Sequence, residues 1–119
     1  MGVTIKNRTK GMVISSCADV VSSTIGKAKG LMFTFRPVTL VMRFSSPRIV
    51  SLHMFFVFHP IDALWLAEDG SVVEALEWFR PFSIHTPRSK AVTVIEMPAG
   101  TIRKSNTHVG DRIGFSGHP

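Results

Sequence analysis

The sequence predicts a mainly β fold, α+β by strict count: a compact β-barrel or sandwich-like sheet with one short helix near residues 24–35. Three observations carry this. Short apolar runs rich in Val, Ile and Phe recur along the chain, separated by Gly, Pro, Ser and Asn. Glu68-Asp69-Gly70 stands between two such runs, and Asp-Gly in that position is a strong hairpin signal. Only one segment has helical spacing.

In chain order, Val3–Lys6 reads as a first strand. The polar cluster Asn7-Arg8-Thr9-Lys10-Gly11 turns the chain, and Met12–Val21 returns beside it. Ser22-Ser23-Thr24 is an N-cap cluster. Ile25, Ala28, Leu31 and Met32 then recur at helical spacing, so Ile25 to Phe35 is the helix candidate. Gly26 and Gly30 weaken it by about 1 kcal/mol each, and Arg36-Pro37 ends it. Leu40–Phe44 and Ile49–Phe58 read as strands around Ser45-Ser46-Pro47. Apolar residues on both faces of Ile49–Phe58 predict a central strand covered on both sides. Ile61–Ala67 and Val72–Phe79 form the Asp-Gly hairpin, with Gly70 at a position that needs positive φ. Residues 80–90 read as a proline-punctuated loop. Val92–Met97 is a strand stopped by Pro98, Ala99 to Ile102 starts a helical turn, and Arg112–Phe115 closes the chain.

The 119 residues are the size of one domain and are 45% hydrophobic, enough for a real core. The chain reads as a single domain, 1–119. Cys17 is the one cysteine, so no internal disulfide and no disulfide-linked partner are expected. It reads as a small buried hydrophobe. The N-terminus lacks a long apolar run, and Lys6 stands where a myristoylation signal wants Ser or Thr. The greasiest stretch, Ile49 to Ala67, is broken by His53, His59, Pro60 and Asp62, which is incompatible with a membrane-spanning helix. A cytoplasmic location with no membrane partner follows by elimination.

Net charge is +6 and unevenly spread. Residues 1–48 hold eight Lys/Arg against one acid, residues 49–79 five acids and no Lys/Arg, and residues 80–119 six Lys/Arg against two acids. A basic surplus permits weak binding of nucleic acid or another polyanion. The scattered charges read first as a solvated surface, since they do not cluster as in a basic arm.

No G-x-S-x-G, Walker A, G-x-G-x-x-G, H-E-x-x-H or C-x-x-C motif occurs, so no catalytic residue, metal or cofactor is assigned. The Phe55-Phe56-Val57-Phe58 run contains no cation and reads as core rather than as a base-stacking platform. Three polar residues interrupt apolar strands: His53, Asp62 and Glu96. A buried ionisable group needs a partner or shifts its pKa, and such groups mark candidate sites. They are the ligand-binding candidates, and a shared site requires that they converge from three strands. The alternative is that each points outward or fixes the fold.

Several segments together resemble one family. Lys27-Ala28-Lys29-Gly30-Leu31-Met32-Phe33 is similar to its R-A-x-G-L-M-F stretch, and Pro60-Ile61-Asp62 with Leu64–Leu66 to P-L-D-x-x-F-[IL]. Phe55–Phe58 resembles its F-V-F run. Asp69-Gly70-Ser71-Val72-Val73 matches D-G-x-V-V. Val94-Ile95-Glu96-Met97-Pro98-Ala99-Gly100 is similar to V-L-E-L-P-A-G, and Val109-Gly110-Asp111-Arg112-Ile113 to V-G-D-R-[VIL]. Over about residues 24–115 the chain thus resembles DUF192, a bacterial and archaeal domain family of unassigned function. The resemblance implies a compact β-rich fold. One departure stands out: many members carry F-W-M-K-N-T where this chain reads Leu52-His53-Met54-Phe55-Phe56-Val57.

Three functional readings follow. The first is a non-enzymatic binding or interaction module. The second is an accessory protein that binds nucleic acid or another polyanion through basic residues. The third is a small metal-dependent hydrolase using His53, Asp62 and Glu96.

Overall fold

In the computed structural model, residues 2–21 and 38–117 are described. The helix expected at 24–35 and its cap lie outside them. Among the described residues the strands are β1 (Val3–Asn7), β2 (Met12–Val21), β3 (Leu40–Arg48), β4 (Leu52–His53), β5 (Ile61–Leu66), β6 (Val72–Phe79), β7 (Ile84–His85), β8 (Ala91–Pro98) and β9 (Ile113–Ser116), with a helical turn, α1 (Thr101–Lys104). Seven strands form one sheet in the order β6-β5-β8-β3-β2-β1-β9, while β4 and β7 pair separately. The fold is mainly β, as the sequence predicts.

The large sheet curls into a half-barrel. Its two edge strands meet at one corner: Ser71 bridges Arg112, Val72 N–H donates to Asp111 O at 2.8 Å and Ile113 N–H to Gly70 O at 2.9 Å. Gly70 makes this contact possible. It adopts φ 85°, and a Cβ there would lie 2.8 Å from the Ile113 carbonyl oxygen. A side chain would therefore be both strained and obstructed.

Strand β5 is the doubly covered strand, with all six residues buried. Alternation sends Ile61, Ala63 and Trp65 to one face and Leu64 and Leu66 to the other. On the concave face, Leu64 and Leu66 join Val3, Ile5, Ala18, Val41, Val72, Ile95, Met97 and Ile113, so every strand of the barrel sheet contributes. The convex face is covered by the small β4–β7 layer, which lays Leu52, Met54 and Val57 over Leu40, Met42, Ala63, Trp65 and Val94. The indole N–H of Trp65 donates to Val50 O at 2.9 Å and pins the chain entering that layer.

Two strand expectations change. Leu40–Phe44 is longer, continuing to Arg48. Ile49–Phe58 is not a central strand: only Leu52–His53 is extended in a ladder, and the chain then turns. A short apolar run fits a buried strand or a greasy surface turn equally well by composition. Among the described residues no helix is long and apolar enough to cross a bilayer.

Candidate functional site

Asp62 and Glu96 occupy neighbouring strands but opposite faces. In the β5–β8 ladder Asp62 faces Met97 and Ala63 faces Glu96. Directly paired residues share a face. Asp62 therefore points to the concave side with Met97, and Glu96 to the convex side with Ala63. His53 lies in a different sheet, in β4. The expected convergence of His53, Asp62 and Glu96 does not occur, because a one-residue offset in register reverses the face.

Asp62 is committed to the backbone. Its Oδ2 accepts the N–H groups of Gly100 (3.0 Å) and Ile102 (2.9 Å), and Oδ1 accepts that of Trp78 (3.0 Å). Helix α1 lacks a side-chain cap of its own, so Asp62 supplies one from across the sheet. The Trp78 bond holds a bulge: Ile61 pairs with Phe79 and Ala63 with Leu76, leaving Glu77 and Trp78 opposite Asp62 alone. Trp78 takes φ 53° and its side chain is thrown outward.

Glu96 is almost wholly buried between Leu40 of β3 and Ala63 of β5, and its Oε1 has no hydrogen-bond partner. Burial pushes its carboxyl up to about 7.

The sequence reading missed a second buried aspartate network. Asp111 Oδ2 accepts from Asn7 Nδ2 (3.0 Å), Lys10 Nζ (2.9 Å) and His108 N–H (2.9 Å), and Asn7 also donates to Thr107 Oγ1 (3.0 Å). Burial alone would raise the Asp111 carboxyl, but these hydrogen bonds and the Lys10 charge outweigh it and hold it at about 2. The Val-Gly-Asp-Arg stretch was the available signal; its partner Asn7, about a hundred residues away, was not.

A third pair lies under the small sheet. His85 Nε2 meets Glu74 Oε2, the other Glu74 oxygen accepts Arg88 N–H at 2.9 Å, and the His85 ring packs on Trp65 and Phe79. Burial raises the Glu74 carboxyl, and the bonds from Arg88 and His85 more than reverse this. Among the described residues no group of three His, Cys, Asp or Glu is placed to hold a metal ion.

The outer face of the β4–β7 layer is the exposed feature. Leu52 pairs with His85 facing inward, so the His53–Ile84 pair faces out. The Phe55–Phe58 run is not core, as its composition suggested. Val57 is buried, but Phe55, Phe56, Phe58 and Phe82 are 44, 48, 49 and 55% exposed. The Phe55 ring stacks on His53 at 5.1 Å, and Phe82 meets Phe56 and Phe58 edge to face at 6.4 and 5.7 Å. Phe56 and Phe82 adopt φ 56° and 60°. Bulky side chains rarely occupy this region, at a cost of order 1–3 kcal/mol each.

The match to one family covers residues 5–115; its description is an uncharacterized ACR family, DUF192. The chain belongs to DUF192. Its relatives include UPF0127 proteins of Thermococcus gammatolerans, 32% identical over 93% of this chain and 74% of that protein, and of Pyrococcus horikoshii, 31% identical over 92% and 96%. Among solved structures, a candidate transcription regulator from Sinorhizobium meliloti superposes with a TM-score of 0.82 at 24% identity, covering 95% of this chain and 91% of that one. A Novosphingobium aromaticivorans protein of unknown function gives 0.83 at 19% identity, covering 96% and 84%. The DUF192 fold is thus shared, with Asp62 and Asp111 as its internal braces here. In this DUF192 chain Leu52–Val57, the stretch that departs from F-W-M-K-N-T, supplies the exposed Phe55 and Phe56 and the ring of His53.

Proposed function

We propose that this DUF192 chain is a non-enzymatic binding module that holds single-stranded nucleic acid on the outer face of its β4–β7 layer. The observation that carries this is two half-exposed ring groups beside β4 and β7: Phe55 stacked on His53, and Phe82 edge to face with Phe56 and Phe58. Contiguous exposed apolar surface marks interaction sites. Its flanks are cationic. Residues 47–60 and 78–90, which carry β4 and β7 and the last residues of β3 and β6, hold Arg48, Arg80, Arg88 and Lys90 and no Asp or Glu. All four are exposed, and none forms an ion pair among the described residues. Aromatic faces for bases beside cations for phosphates are what a single strand requires. A hydrolase built on His53, Asp62 and Glu96 finds no support, since Asp62 and Glu96 face opposite ways.

Fluorescence anisotropy with labelled oligo-dT, oligo-U and a duplex of equal length tests the proposal. Single strands should bind more tightly than the duplex at about 50 mM salt and weaken steeply toward 200 mM. Phe82→Gly should cost about tenfold, the low end for one stacked base. Arg80→Gln should reduce the salt slope by about one. No binding at low salt, an unchanged affinity in Phe82→Gly, or binding to anionic lipid vesicles alone would overturn it.

A further inference from the structure

Of the two tryptophans, Trp65 is fully buried and Trp78 is 59% exposed, more than any phenylalanine of the aromatic face. The backbone imposes this exposure. At the bulge in β6, Glu77 and Trp78 together stand opposite Asp62 of β5. Trp78 is held at φ 53°, and its N–H donates to Asp62 Oδ1 at 3.0 Å. A bulky residue rarely takes this conformation, whereas glycine takes it without strain. No aromatic ring or guanidinium packs on the indole among the described residues.

A short alternating segment joins Trp78 to the aromatic face. Phe79 is buried in the core, Arg80 is exposed, Pro81 is half-buried and Phe82 is exposed. Trp78, Arg80 and Phe82 therefore reach solvent in turn, as ring, cation and ring. Four residue steps limit the separation of the two ring-bearing positions to about 14 Å. Glu77, the acid beside Trp78, has the Arg103 Nε at 3.9 Å, so these two charges offset each other. Arg80 forms no ion pair among the described residues and stands as the uncompensated charge between the rings.

We propose that a nucleic-acid strand held on the β4–β7 layer continues past Phe82 onto Trp78, with a base stacked on the indole and the intervening phosphates at Arg80. This rests on the reading of the layer as a single-strand platform and adds a stacking position outside it. Stacking on aromatic rings tolerates any base, and a cation between the rings follows the backbone.

Trp78 supplies its own readout. Trp65 is buried and its indole N–H is bonded to Val50 O, so oligo-dT should quench the emission of Trp78 alone. In the full chain at about 50 mM salt, the quenching should saturate in step with the anisotropy of the labelled strand. Trp78→Gly suits the positive φ and should weaken binding about tenfold, as loss of one stacked base does. Trp78→Phe keeps a ring; it should bind nearly as tightly, and its remaining Trp65 emission should not respond to oligo-dT. Strand binding with unchanged tryptophan emission, equal quenching in Trp78→Phe, or equal affinity in Trp78→Gly overturns this extension and leaves the platform standing. Absence of any anisotropy change overturns both.

Discussion

The concave end of the barrel and the outer face of the β4–β7 layer treat their demanding residues in opposite ways. At the barrel, Asp62 and Asp111 are buried, and each accepts three hydrogen bonds at 2.9–3.0 Å. On the small layer, four phenylalanines stand about half exposed, two of them at positive φ. One region satisfies its polar groups completely, and the other leaves apolar surface uncovered. The groups that brace the fold and the surface proposed for binding are thus separated in space. The first form a closed network, and the second pairs exposed rings with two residues at positive φ.

The sharpest way to break this comparison is Asp62→Ala. Three backbone N–H groups would lose their acceptor, and leaving buried donors unsatisfied costs about 3–5 kcal/mol in total. Thermal unfolding should fall by more than about 10 °C. A shift of a degree or two would mean that water or other side chains replace the carboxylate.

Glu96 comes next, because it is buried without the partners that Asp62 has. Its folded-state pKa of about 7 lies above the usual 4.5, so the folded state holds the proton more tightly than the unfolded chain. Stability is then greatest below pH 4.5, falls between 4.5 and 7, and levels off above. The whole fall is roughly 3 kcal/mol. Denaturant melts across this range should show it in the wild type. Glu96→Gln should remove this group's share of the fall, and matching slopes in the two proteins would contradict the burial argument. Asp111 has the opposite sign: its contribution is present above about pH 4 and is lost as pH falls through 2.

The smallest effect is expected at Phe82. Glycine accepts φ 60° without strain, and the ring is largely exposed, so Phe82→Gly should change stability by less than about 1 kcal/mol, toward stabilisation. A large loss of stability would show that the ring is a structural prop and would dissolve the contrast between the two regions.

Much of the fold is legible in the sequence. β2 and β6 fall on the residues their patterns indicate, and Asp69-Gly70 turns the hairpin between β5 and β6 with Gly70 at φ 85°. Asp62 and Glu96 were recognisable as polar residues in apolar strands, and both are buried. The aromatic run was misread, because composition does not say which side of a turn meets solvent. Asn7 and Asp111 were not joined, because nothing local links residues at opposite ends of the chain.

The sequence by itself determined where strands begin and turn, since period-2 alternation, glycine and proline act locally. It also determined the family, through six short segments in order. Only the tertiary structure decided the faces. Alternation says which residues of a strand share a side, but pairing register says which strand opposes it, and that register put Asp62 inside the barrel and Glu96 outside it. The same long-range pairing joined Asn7 to Asp111, although they stand at opposite ends of the chain. Such contacts depend on how the whole sheet curls, which no single segment encodes.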